Sequence, residues 1–270
     1  MTSAHPMDLL FDAAKDSAEV EIPPGWGQGR ATFGGTIGGL LQARSLGEWD
    51  LAPATLRAVT TSFVAPANAG PARLETLLLR QGSSATQTEV RLWQTDPKTG
   101  QETVRALQLS SYGATRESSV EVAAPRATVP ETEGRFAVPH LPGLTPDFLA
   151  QIELTPVTGG MPFSGADSGD ITGFMRYRTA PAAMTLPHFL CLVDGWPPAT
   201  GSLLKAPAAM STLSWTVEML TEPTGAPDQH WWYEVVTDAA HDGYAHTHAS
   251  IFTAAGDPVA ISRQTISIFG

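Results

Sequence analysis

Several things are scarce in this chain, and each shortage excludes a class. One cysteine, Cys191, occurs in 270 residues. No intramolecular disulfide can form, and a reducing setting, the cytoplasm, is expected. Positive charge is also short: 16 Lys and Arg face 27 Asp and Glu, for a net charge of −11. That balance excludes a general nucleic-acid binder and a binder of anionic membrane surfaces. No apolar run approaches the ~18 residues of a membrane span. The opening stretch MTSAHPMDLLFDAAKDSAEV lacks the basic start and apolar core of a signal peptide. Familiar catalytic signatures are missing as well. GQGRATFGG (27–35) lacks the Gly-Lys-Ser/Thr ending of a phosphate loop, and it follows a Pro-Pro turn where a dinucleotide fold needs a strand. There is no Gly-x-Ser-x-Gly nucleophile elbow. His246 and His248 alternate on one strand face without a third ligand, so neither a metal nor another cofactor is expected.

What is present is a core-forming composition, 42% hydrophobic and 16% charged, arranged as one pattern used twice. MDLLFDAAKD (7–16) has the spacing of a short amphipathic helix, and EVEI (19–22) reads as a strand. A Gly/Pro-rich turn region leads to a helix over 36–48 that starts in small residues. The four glycines around its start, Gly34, Gly35, Gly38 and Gly39, cost up to ~1 kcal/mol each against alanine, which implies close approach of another backbone or a ligand. Strands are expected at 56–64, 73–82, 85–94 and 103–113, with a hairpin turn at 96–101. Prolines and weak periodicity mark a linker from about Ala114 to Pro146. Beyond it come strands at 151–157 and 171–178 and a buried helix at HFLCLV (188–193). Strands at 211–220, 230–238, 244–253 and 258–269 follow, with a hairpin turn at 254–258. Helix then strands, twice, without β-α-β alternation, predicts α+β architecture with antiparallel sheets. The boundaries read as an N-terminal unit over 1–114, a linker over 115–145 and a C-terminal unit over 146–270.

Two polar residues fall where the pattern wants apolar ones. Asp194 directly follows FLCLV. Buried, its pKa rises into the range of a general base near neutral pH; solvated, it is an ordinary helix end, although a carboxylate there opposes the helix dipole. Gln264 lies in phase with Ile266 and Ile268, and a buried amide requires partners; a structural hydrogen bonder fits as well as a catalytic one. Period 2 places Thr212 opposite the Leu213, Trp215, Val217, Met219 face, as an ordinary strand threonine. Cys191 reads as a small core residue, and Trp231 and Trp232 as packing on opposite strand faces.

The stretches FGGTIGGLLQA (33–43), SFVAPANAGP (62–71), LRQGSSATQTEVRLWQ (79–94), ALQLSSYG (106–113), VDGWPP (193–198), STLSWTVEM (211–219) and PVAISRQTISIF (258–269) together resemble the acyl-CoA thioesterase II family. The resemblance covers nearly the whole chain apart from the linker. It implies a double hotdog fold, two long helices each wrapped by an antiparallel sheet, and hydrolysis of fatty acyl-CoA to free acid and CoA. It places the family's water-holding Asp, Thr and Gln at Asp194, Thr212 and Gln264. It also implies acyl-CoA as the partner, no nucleic acid or membrane partner, and a homo-oligomer. Backbone donors for the reaction's oxyanion are expected at Gly34 and Gly35, where the second helix begins. The chain departs from the family in two strands. LRAVTTSFV lacks the usual histidine and aromatic residues, and Thr88 and Glu89 stand where a basic pair is usual. Phosphate contacts are therefore expected from Arg80 or Arg91. Two other readings share the fold: a non-catalytic acyl-thioester or lipid binder, and a hydratase. The second is disfavoured because SGADSGDITGF (164–174) lacks the histidine its motif requires.

Overall fold

A computed structural model describes residues 4–52 and 55–269. Helix α1 (Pro6–Asp16) starts at a proline, whose missing N–H costs nothing in a first turn. It buries Met7, Leu10, Phe11 and Ala14 on one stripe. Strand β1 (Glu19–Ile22) and a small ribbon of β2 (Gly27–Gln28) and β3 (Ala31–Thr32) lead to α2 (Gly34–Glu48). Four strands follow: β4 (Leu56–Phe63), β5 (Gly70–Gln81), β6 (Thr86–Thr95) and β7 (Glu102–Tyr112). Residues 113–146 hold no helix or strand. The second half has β8 (Ile152–Thr158), β9 (Ile171–Tyr177), α3 (Leu186–Val193), β10 (Ala209–Met219), β11 (Trp231–His241), β12 (Tyr244–Thr253) and β13 (Pro258–Phe269).

All strands except the β2–β3 ribbon join one 11-stranded sheet, ordered β1-β5-β6-β7-β4-β10-β13-β12-β11-β9-β8, with every pair antiparallel. The two halves meet edge to edge at β4 and β10, where Thr60 pairs with Thr216 and their hydroxyls lie 3.0 Å apart. The sheet thus removes two of the four edges that separate sheets would expose.

The doubling is geometrical as well as sequential. β4 is interrupted at Arg57 against β7, and β10 at Leu213 against β13. Each half repeats a second bulge, at Arg105 in β7 and at Val259 in β13. Bulges at matching places fix the correspondence of the halves: Leu56 with Thr212, Ser110 with Gln264 and Tyr112 with Ile266.

Inside the curve lie α2 and α3, crossing antiparallel. A Cβ on Gly35 would lie 2.2 Å from the Cys191 carbonyl, and one on Gly39 2.6 Å from the Pro187 carbonyl. The close approach expected from the glycines is therefore helix on helix. α2 is buried from Gly35 to Leu46, so a helix without a polar face is satisfied here. α3 differs from the expected long helix: it has eight residues. Pro187 suits its first turn, and Gly195 with Pro197 and Pro198 forbids extension. α1 is tied to the second half by Asp8, which accepts from the Ala182 N–H at 3.0 Å and faces His188 Nε2 at 3.1 Å.

The linker segment runs over the outer face of the second half. Ala127 donates its N–H to the Gly256 carbonyl, and Ala127 and Val129 cover Phe174, Trp232 and Phe252. Trp231 points inward onto Phe189, with centroids 4.8 Å apart. Both tryptophans are thus buried, Trp232 by the linker. No helix among the described residues is long and apolar enough to cross a membrane.

Candidate active site

Asp194 caps the C-terminus of α3 with φ −80° and ψ 0°, so its side chain leaves the helix toward the start of α2. Its Oδ2 lies where a Cβ on Gly34 would be only 2.7 Å away, so a side chain at that position would crowd the carboxylate. Gln264 Nε2 donates to Asp194 Oδ1 at 2.8 Å. Thr212 Oγ1 donates to Gln264 Oε1 at 3.2 Å. The three residues picked from the sequence therefore form one hydrogen-bonded chain, drawn from α3, β10 and β13. Gln264 is held at both ends, which fixes its amide orientation and leaves its second N–H free to donate.

Thr212 reaches this chain through the bulge. Leu213 is the unpaired residue between Thr212, opposite Ile266, and Ser214, opposite Thr265. The extra residue reverses the alternation, so Leu213 turns out to solvent at 42% exposure. Thr212 then shares the inner face with Trp215, Gln264 and Ile266. The expectation that Thr212 lies opposite the Trp215 face is corrected by this one irregularity.

The electrostatics are dominated by burial. Asp194 is half-buried, with its carboxyl tucked between α2 and the sheet. Burial pushes the carboxyl up to about 7, against the pull of donations from Gln264 and the Gly35 N–H. Nearby, burial and then the charge of Asp194 push the Tyr233 phenol up. The Tyr233 ring stacks on Trp196 at 6.0 Å and 13°. The Trp196 indole N–H is buried without a partner. Nothing in the alternation pattern marked Tyr233 or Trp196; the Asp194-Gly195-Trp196 sequence was the available signal. Burial holds the Cys191 thiol at about 12, with the Thr36 hydroxyl 3.9 Å from its sulfur, so it is protonated core.

Other expected residues are placed differently. The Gly35 N–H faces the Asp194 carboxylate and acts to lower its pKa. The Gly34 N–H, first in the helix, has no acceptor within it. Arg91 is neutralised by Glu89, two residues away on the same strand and face, and by Glu75, its partner across on β5; it is not a free phosphate ligand. Arg80 lies at the exposed end of β5 beside the turn at Gly82, outside the Asp194 cluster. His248 pairs with Asp238 at 2.8 Å, and His246 lies 3.4 Å from the Thr265 hydroxyl. No group of three metal-ligating side chains occurs among the described residues.

The corresponding position in the first half is different in every part. The reciprocal helix crossing makes Gln42 the counterpart of Asp194, and Pro187 that of Gly35. Ser110 Oγ donates to Gln42 Oε1 at 3.2 Å, as Gln264 does to Asp194. Gln42 Nε2 donates to the Tyr112 hydroxyl at 2.6 Å, and Ser45 joins that hydroxyl at 2.8 Å. The carboxylate has become an amide, the threonine is Leu56, and Pro187 has no N–H to give. One half keeps the carboxylate, and the other has a buried polar network of Gln42, Ser45, Ser110 and Tyr112.

Comparisons with known proteins agree with this architecture. A conserved protein of unknown function with a hot dog fold from Alicyclobacillus acidocaldarius superimposes with a TM-score of 0.81 at 18% identity, covering 96% of this chain and 98% of that one. A putative thioesterase II from Thermobifida fusca gives 0.77 at 23% identity, covering 96% and 97%. An acyl-CoA thioesterase II from Mycobacterium marinum gives 0.66 at 19%, covering 89% and 92%. At these identities the likeness shows the double hotdog fold. Compared by sequence with curated proteins, the chain finds no match. Residues 22–109 match the acyl-CoA thioesterase N-terminal domain and residues 122–268 its C-terminal domain, and the chain belongs to that family.

Proposed function

We propose that the protein hydrolyses an acyl-CoA thioester to the free acid and CoA, using a water held by Asp194, Thr212 and Gln264. The observation that carries this reading is the chain Thr212 to Gln264 to Asp194 at the N-terminus of α2, with the carboxyl raised to about 7. A base poised near the working pH has the best compromise between being ionised and being able to take a proton, and such help is worth ~10²–10⁴-fold.

The ionised carboxylate accepts a proton from water while the remaining Gln264 N–H and the Thr212 oxygen fix its line of attack. The water oxygen bonds to the thioester carbon, and the carbonyl becomes an oxyanion. The Gly34 N–H, at the positive end of α2, is the donor for that oxyanion. Collapse breaks the C–S bond, and the thiolate leaves with the proton Asp194 held. No metal is needed because a thiol is a good leaving group.

The test is thiol release from acyl-CoA esters of graded chain length, with Asp194→Ala alongside. Hydrolysis that disappears in the variant supports the reading. Absence of hydrolysis at every chain length, or an unimpaired variant, refutes it.

A further inference from the structure

An open cleft of about 450 Å³ lies at the far end of α2 from Asp194, bounded by the start of β4, the β5–β6 turn, the end of β7 and the first linker residues. Arg57, Ser84, Ser111, Thr115 and Arg116 line it. The β4 bulge is what turns Arg57 out of the sheet. Its guanidinium is held in place: Nε donates to the Gly113 carbonyl at 2.8 Å, and Nη2 reaches the Thr115 hydroxyl at 3.4 Å. Its third nitrogen makes no such bond. Among the described residues neither Arg57 nor Arg116 has a carboxylate within ion-pair distance. Arg80 sits beside the same β5–β6 turn, its Nε 3.6 Å from the position a Cβ on Gly82 would take, but it does not line the cleft.

In a chain with 27 acidic and 16 basic residues, a cleft lined by two guanidiniums and no carboxylate is against the odds of composition. Other surface arginines are neutralised, among them Arg73 by Glu102 and Arg126 by Asp257. Guanidinium groups match phosphate oxygens with paired, charge-assisted donors, and serine and threonine hydroxyls add neutral ones.

We infer that this cleft is a binding site for the diphosphate group of a small organic phosphate, separate from the Asp194 site. The inference stands on the cleft itself and not on the thioesterase reading. Arg57 is the pre-organised anchor, Arg116 closes on the ligand from the linker, and the hydroxyls complete the oxygen contacts. A nucleoside diphosphate fits a volume of this size.

The experiment is titration calorimetry of the full chain at low salt with two probes, inorganic pyrophosphate and adenosine diphosphate. One saturable site per chain is expected, weakened by added salt. Arg57→Gln with Arg116→Gln weakens it at least ~10-fold, as loss of charge-assisted bonds requires, while Asp194→Asn leaves it unchanged. Arg116→Gln alone, on an exposed side chain, gives a partial loss without endangering the fold. Equal affinity for both probes confines recognition to the diphosphate; tighter binding of adenosine diphosphate extends it to the nucleoside, and either result supports the site. Absence of saturable binding for both probes at millimolar concentration overturns it, as does wild-type affinity in the folded double variant.

Discussion

Asp194→Asn separates stability from catalysis, because the same burial that tunes the carboxyl also strains the fold. In the unfolded chain Asp194 titrates at its ordinary 3.8; in the folded protein it does so at about 7. The folded state therefore holds the proton more tightly. The stability this group contributes is full below pH 3.8 and is lost as pH rises through 7. At ~1.36 kcal/mol for each pH unit, the whole interval is worth about 4 kcal/mol at alkaline pH. Asparagine keeps the acceptor for Gln264 and carries no charge to desolvate. It turns an amide N–H toward the Gly35 N–H in place of an acceptor, a cost of about 1 kcal/mol that does not vary with pH. The diagnostic is thus the pH dependence. The stability of Asp194→Asn relative to the parent grows by roughly 2–3 kcal/mol between pH 5 and pH 8. Urea denaturation of both proteins at the two pH values measures it from the midpoints and slopes. A difference that stays constant with pH, or that falls toward alkaline pH, refutes the account of a desolvated carboxyl at this position. Hydrolysis is lost in the same variant, the exchange of stability for activity common at functional sites.

Other expectations follow from single contacts. In the parent, kcat/KM falls about tenfold per pH unit below 7 as Asp194 takes up its proton, and Gln264→Ala moves that limb to higher pH because a donor to the carboxylate is removed; pH–rate profiles show both. Gly35→Ala forces a methyl to within 2.2 Å of the Cys191 carbonyl and lowers stability by about 3 kcal/mol, the top of the overpacking range, as read by urea midpoints. Gln42→Leu strips Tyr112 and Ser110 of buried partners and costs about 1–3 kcal/mol, yet thioester hydrolysis persists once folding is confirmed by circular dichroism.

The strands that alternate cleanly were legible. β12 (Tyr244–Thr253) and β13 (Pro258–Phe269) begin and end where the sequence pattern put them, since a two-residue period bounded by turn residues leaves little freedom. β11 was expected to stop at Asp238 but runs to His241, through a bulge between Thr237 and Ala239. It closes in a two-residue turn at Asp242 and Gly243, with φ of 53° and 79°; Asp-Gly favours such turns, but the bulge broke the alternation that would have led to it.

By itself the sequence determined the two-fold order of helices and strands, the burial of both helices, and the oddity of Asp194 and Gln264 among apolar neighbours. These depend on local propensity and periodicity, which neighbouring residues carry. Tertiary structure decided the rest. Thr212 joins the site only because a bulge at Leu213 reverses its face. Gly35 faces Asp194 with its N–H, and Gly34 makes room for that carboxylate, only because α3 crosses the start of α2. Which half retains the carboxylate was visible, but that its counterpart is Gln42 in a closed network required the reciprocal crossing of the helices. Contacts between residues more than 150 positions apart are set by register and packing, and no local pattern encodes them.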